Sequence, residues 1–228
     1  MDAPADMTNT PMDNRQPPQS PLASPDLAAL VGALLQARQT ILPKRLTEPG
    51  PSDAELECIV GAAAHAPDHG QLLPWRFVRV PAARREPLAE VFAAALLDRD
   101  STATPEQVAQ ARDKAQRSPV LLLLVVDGHR GDPQIDLYER LVSAGCAVQN
   151  MLLMATALGY GSSLTSGKAL KYAGLRALFG LAEGEHAVCF VSLGTVQSRR
   201  KPRVRPRSSD YFSTLGEDGV LPARALIF

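Results

Sequence analysis

The sequence predicts an α+β fold with a mixed sheet. Strand-like apolar runs at 77–80, 120–126 and 187–194 are separated by helical patterns that lack a regular βαβ rhythm. The 228 residues show no repeat period and are 45% hydrophobic, enough to bury the core of one domain plus an appendage.

The N-terminal stretch carries Pro11, Pro17, Pro18, Pro21 and Pro25 among polar residues, with neither a basic start nor an apolar run. It reads as a disordered tail over 1–25 and not as a signal peptide. Ser24, Pro25 and Asp26 then open a helix, and Leu27, Leu30, Val31, Leu34 and Leu35 recur at helical spacing as far as Arg38. Ser52 and Glu55 form a capping box ahead of Leu56, Ile59, Val60 and Ala63, which predicts a helix to about His65, stopped by Pro67. Phe77, Val78 and Val80 read as a short strand ending at Pro81.

Helical patterns resume over 84–97 and, opened by Thr104, Pro105 and Gln107, to about Gln116. The run 120–126 is too short to cross a bilayer and reads as a buried strand. The stretch 141–159 holds Ser143, Gln149, Asn150 and Thr156, which favours a helix in a soluble core or a subunit interface over a membrane span. A turn at Gly159-Tyr-Gly161, a small-residue stretch to Gly167, a helix over 170–179 and the strand 187–194 complete the core. Beyond it, Arg199, Arg200, Lys201, Arg203, Arg205 and Arg207 begin an extended tail over 199–228, expected to lie on another subunit. The main domain is thus expected over 26–198.

Lysine and arginine number 24 against 24 aspartates and glutamates, so no global field draws the chain to nucleic acid or an anionic membrane. Any anion site is local. Cys58, Cys146 and Cys189 are odd in number, widely spaced and set among apolar residues, which fits reduced buried thiols and a cytoplasmic protein.

Chemistry concentrates in three segments. Arg38, Gln39, Thr40, Lys44 and Arg45 combine guanidinium, ammonium and hydroxyl donors suited to a phosphate monoester; a solvated basic helix end explains them equally well. The stretch from His65 to Trp75 places two histidines and Pro67 at a helix-to-strand junction. A metal site from His65, Asp68 and His69 is disfavoured, because Pro67 breaks the shared helical face and no further ligand cluster exists; His65 as a helix cap and His69 bonded to backbone is the plainer alternative. Trp75 entering a strand reads as core packing more readily than as a pocket wall. In the third segment Gly159, Gly161 and Gly167 match neither a Walker motif nor a dinucleotide fingerprint, yet its small residues permit close approach to a flat ligand.

Taken in order, Arg38-Gln-Thr40 with Arg45-Leu-Thr-Glu-Pro49, Ala66-Pro-Asp-His69 with Pro74-Trp75, and Ala144-Gly-Cys-Ala-Val148 running to Gly159-Tyr-Gly161 and Ser166-Gly167 resemble the nitroreductase family, most closely its compact YdjA-like subgroup. The likeness spans about Leu27 to Gly194. It implies a mostly antiparallel sheet flanked by helices, in an intertwined homodimer with FMN at the subunit interface. It also implies electron transfer from NADH or NADPH to nitro compounds, quinones or related acceptors, by a ping-pong mechanism. Carried over by position, Arg38 and Thr40 bind the FMN phosphate and ribityl region, with Gln39 in place of a second arginine. His65, Pro67 and His69 line the flavin, and Leu164, Thr165 and Ser166 contact it where the partner subunit's segment falls. Residues 154–159 match the nicotinamide stretch. Gln39 and Thr165 replace common arginines, and Leu73 a common glutamine. Basic residues of the tail, Arg203 among them, stand where they restore the lost charge. The chemistry belongs to the cofactor, so no catalytic side chain and no metal are expected; a non-catalytic FMN-binding or sensing protein of the same fold is the alternative.

Overall fold

The computed structural model describes residues 24–199, 201, 203–216 and 219–222. The expectations on the tail before Ser24, on Arg200 and on residues 223–228 lie outside them. The chain divides into two compact units between Arg38 and Gln39. The first contains α1 (Pro25–Ala37), which starts as expected: Ser24 Oγ accepts from the Leu27 N–H at 3.0 Å, and Pro25 stands in the first turn where its missing N–H costs nothing.

The second unit is built on a five-stranded sheet of β1 (Leu46–Thr47), β2 (Trp75–Arg79), β3 (Val120–Asp127), β4 (Gly161–Thr165) and β5 (Glu185–Val196). The order is β1-β5-β3-β2, with β4 also on β5, and every ladder is antiparallel. An isolated parallel bridge joins Thr40 to Ser162. The helices are α2 (Asp53–Gly61), α3 (Arg85–Arg99), α4 (Pro105–Asp113), α5 (Leu137–Ala157) and α6 (Ala173–Phe179).

Strand β3 explains its own composition. Leu122, Leu124 and Val126 pack with Ala144, Ala147, Val148 and Met151 of α5 on one face. Leu121, Leu123 and Val125 pack with Leu88 and Ala89 of α3 and Leu175 of α6 on the other. A strand covered on both faces loses the polar alternation of a half-exposed one, hence its unbroken apolar run. Trp75 is 6% exposed within the α5-side core, as its strand-entry position suggested.

Several elements differ from expectation. Helix α5 begins at Leu137, because Asp136 caps it through the Glu139 N–H at 3.0 Å and its polar first turn falls outside the apolar window. The small-residue stretch after Gly159 is a strand, β4. Its residues are small at the start because a Cβ on Gly161 would come within 2.7 Å of Leu46 and Val196 side chains. The expected helix over 170–179 is a 3₁₀ turn at Lys168–Lys171 followed by the shorter α6, which Gly180 ends in the left-handed conformation. In the described part of the tail, β6 (Ser213–Gly216) pairs antiparallel with β7 (Gly219–Pro222). Of the three cysteines only Cys189 is buried, and burial pushes its thiol up to about 11. Cys58 is exposed, since on α2 the inward positions are Leu56 and Ile59.

Arg76 on β2 grips Glu185 at the start of β5 with a bidentate pair at 2.7 and 2.9 Å, and this contact holds the Glu185 carboxyl below its ordinary range. A depressed folded-state value contributes stability above the unfolded value of about 4.3, and that contribution is lost as pH falls through the folded value. The Glu185→Gln variant is therefore expected to lose less stability than the parent between neutral and acid pH in urea titrations; parallel acid limbs would refute the linkage. No described helix is long and apolar enough to cross a membrane.

Candidate functional site

A cavity of about 650 Å3 opens on the sheet face that carries α3 and α6. Its floor is apolar: Leu121 of β3, Phe190 of β5, Phe92 and Leu96 of α3, and Leu170. Phe190 meets Phe92 nearly edge-on, with ring centroids 5.6 Å apart. Around this floor stand Lys44, Arg99, Lys114, Arg117 and Lys168, and among the described residues no aspartate or glutamate lines the cavity. Arg117 is paired with Asp113 at 2.7 Å. Hydroxyls come from Thr165, Ser166 and Ser192.

The topology explains why β4 reaches this cavity. Antiparallel register pairs Thr165 with Phe190 and Ser163 with Ser192, so these side chains share the cavity face. Leu164 pairs with Val191, of the α5-side core, and is 43% exposed on the opposite face. Thr40 is joined to β4 through its bridge to Ser162, and the Ile41 N–H donates to the Ser162 carbonyl at 2.9 Å. The structure thus brings Thr40, Leu164, Thr165 and Ser166 to one strand edge, with Lys44 close by in the lining. Gln39, at the start of the same unit, is half-buried. Arg38 belongs to the first unit, where its backbone N–H caps α1 on the Leu34 carbonyl at 3.1 Å. Arg203 is exposed and lines no part of the cavity.

His65, Pro67 and His69 form a second group. All three are exposed, and none lines the cavity. The turn Ala62–His65 packs onto α5 through Ala63, and His69 Nδ1 lies 2.7 Å from Glu139 Oε2 in the first turn of that helix. His69 therefore bonds to a carboxylate and not to backbone. Asp68 Oδ2 accepts from the Leu73 N–H at 2.7 Å, which occupies it within the loop. No group of three metal-ligating side chains occurs among the described residues.

The loop that carries these residues is strained. Gln71 and Leu73 have φ of 51° and 48°, a region that costs a residue with a Cβ about 1–2 kcal/mol. It is held in shape by the neighbouring loop 128–136: Ile135 packs on Gly70, and Leu72 packs on Gly131, both glycines at positive φ. That loop is fixed in turn by Arg140. This side chain is 1% exposed and donates to the carbonyls of Asp127, Arg130, Asp132 and Ile135. Strain of this kind concentrates where a backbone is shaped to hold a ligand.

Lys44 was among the cationic residues marked in the sequence. Phe92, Leu96 and Arg99 of α3 and Lys114, just after α4, were missed, as was Lys168. Nothing local marks them: Arg99 and Lys114 read as ordinary helix-end cations, and only the packing of two helices on the sheet turns them toward one space.

The cavity thus combines an apolar floor with surrounding cations and hydroxyls, a lining chemically suited to an anionic, ring-bearing ligand, on an α+β scaffold. The Nitroreductase family model matches residues 35–195. A protein of Haemophilus influenzae is 30% identical over 171 residues, covering 75% of this chain and 92% of that one. One of Escherichia coli K12 is 33% identical over 153 residues, covering 67% and 82%. Both are named "Putative NAD(P)H nitroreductase", the second with the suffix YdjA. Among solved structures, a mutant of the FMN and NADPH-dependent nitroreductase NfnB from Sphigopyxis sp. strain HMH superposes with a TM-score of 0.65 at 20% identity, over 81% of this chain and 98% of that one. The chain belongs to the nitroreductase family.

Proposed function

We propose that the protein is an FMN-dependent NAD(P)H oxidoreductase. It works as a homodimer in the cytoplasm and passes electrons, in ping-pong fashion, to nitro compounds, quinones or similar acceptors. The observation that carries this reading is the cavity of about 650 Å3, with five cations, one of them paired, and, among the described residues, no carboxylate in the lining around an aromatic floor. FMN combines an anionic phosphate with a flat three-ring system; Lys44, close in sequence to residues 38–40, suits the first and the aromatic floor the second. The names of the relatives add the nicotinamide donor, and that of the NfnB structure adds FMN.

On this reading Arg38, Gln39 and Thr40 hold the phosphate and ribityl end. Thr165 and Ser166 offer hydroxyl and backbone donors to the ring edge, beside Leu164. His65, Pro67 and His69 stand apart from the cavity that Thr165 and Ser166 line in the same chain, so the two groups meet one FMN only across two copies, with Arg203 reaching across. Exposed apolar residues give the two copies a surface to share: Leu30, Val31 and Leu35 on α1, and Tyr138 and Val142 on α5. Bound FMN supplies the two-electron relay between nicotinamide and acceptor. The polypeptide fixes the ring, excludes water with Phe92, Leu96 and Phe190, and neutralises the phosphate; it needs no nucleophile or general base.

The purified protein is expected to be yellow, with flavin absorbance bands that bleach on anaerobic mixing with NADPH. A colourless protein that takes up no FMN overturns the proposal. A bound flavin that stays oxidised favours the non-catalytic binder, the reading that Gln39 and Thr165 in place of cationic residues support. Arg38→Ala removes a charge-assisted contact worth roughly 1.5–3 kcal/mol, which is about ten- to hundred-fold in affinity. Fluorescence titration of the apoprotein with FMN measures this, and an unchanged Kd places the phosphate elsewhere.

A further inference from the structure

We infer that the acceptor reduced in this cavity is an anionic aromatic compound, a carboxylate-bearing nitroarene or quinone, recognised by Lys114 and Lys168. The inference rests on the FMN reading above and narrows it.

Charge is sorted on the helical wall of the cavity. Residues 85–117, which build α3 and α4, contain six acids: Glu86, Glu90, Asp98, Asp100, Glu106 and Asp113. None of them lines the cavity, whereas Arg99, Lys114 and Arg117 of the same segment do. Two of them pair with arginines of the same segment. Glu90 grips Arg112 at 2.7 Å, and Asp113 pairs with Arg117 at the same distance. Asp100 is held low first by Thr102, with Arg99 its last contributor. Lys114 and Lys168 have no carboxylate within 4.0 Å among the described residues. Lys168 faces the same space from beyond β4.

Two lysines lining an apolar cavity make a field of one sign over a low-dielectric floor, and such a field concentrates anions. The segments assigned to FMN are 38–40 and 164–166. Lys114 lies on neither, so its charge remains for the second ligand. Glutamines Gln107 and Gln110 on the same wall offer neutral donors for a carboxylate without adding repulsion. A neutral acceptor gains only the apolar floor from this arrangement, while an anionic one gains the floor and the field.

For a nitroarene the reaction balances as ArNO2 + NAD(P)H + H+ → ArNO + NAD(P)+ + H2O. The nicotinamide loses a hydride, the nitro group takes two electrons and two protons, one N–O bond breaks, and its oxygen leaves as water.

The test compares 4-nitrobenzoate with the near-isosteric, neutral 4-nitrobenzamide as acceptors for the FMN-loaded enzyme at one fixed NADPH concentration. Their kcat/KM ratio is read in the parent and in the Lys114→Gln, Lys168→Gln double variant. The ratio is expected to fall at least tenfold in the variant, and the parent's ratio to fall as sodium chloride is raised, because exposed charges are screened. Taking the ratio cancels any change in the shared reaction with NADPH. A ratio that neither the variant nor salt moves overturns this inference and leaves the FMN reading standing. A protein that binds no FMN overturns both.

Discussion

Arg140→Met is expected to lower the stability of the second unit by at least about 3 kcal/mol, since hydrogen bonds to a charged donor contribute roughly 1.5–3 kcal/mol each. Arg140 is 1% exposed and has no carboxylate partner among the described residues; its guanidinium is satisfied by the carbonyls of Asp127, Arg130, Asp132 and Ile135. Methionine fills similar space but donates nothing, and four carbonyls curled around the vacated position lose their shared donor. Urea denaturation measures the loss. A second effect follows from the chain of contacts that runs from Arg140 through Ile135 and Gly70 to the His69 loop. Loosening the loop 128–136 frees Gln71 and Leu73 to relax from positive φ, and the FMN affinity of the refolded variant is expected to fall as well. Arg140→Lys keeps the charge yet serves fewer carbonyls, so its stability should lie between the two. A methionine variant as stable as the parent would show that the loop is ordered by packing alone.

Phe190→Ala is expected to cost about 3–5 kcal/mol, the range for truncating a buried aromatic ring. Phe190 is 5% exposed and meets both Phe92 of α3 and Phe179 of α6 edge-on, at 5.6 and 6.2 Å. Removing it takes away the ring that both helices share and opens the floor of the cavity. The expected result is a lower midpoint in denaturant together with weaker FMN retention. Phe190→Leu restores most of the volume and should recover most of the stability without the edge-to-face contacts. If Phe190→Ala costs less than about 1 kcal/mol by the same scale, the helices are held to the sheet by other contacts, and the floor described above is not a stability element.

Much of the helix framework was legible because its signals are local. The box of Ser52 with Glu55 closes as expected, with the Ser52 N–H donating to Glu55 Oε2 at 2.9 Å. Thr104 with Gln107 does the same at the start of α4. Such pairs act over three residues and do not depend on the rest of the fold. Strand β4 was not legible, since a Gly-Ser-Ser-Leu-Thr segment has weak strand propensity and exists because β5 pairs with it. Strand β1, two residues long, is likewise defined by its partners Val196 and Thr195.

The site divides along the same line. The sequence by itself determined the donors that lie next to one another in the chain: Arg38 to Thr40, His65 to His69, and Leu164 to Ser166. It also carried the resemblance on which the roles proposed for them rest. The tertiary structure alone decided that Thr165 and Ser166 face a cavity with Lys44, Arg99, Lys114 and Lys168, while His65 and His69 lie on the loop before β2, His69 bonded to Glu139 of α5, and line no part of it. The reason is physical. A capping box or a proline stop is written in neighbouring residues, but a cavity exists only where helices distant in sequence are forced by the burial of Leu121, Leu123 and Phe190 onto one face of a sheet.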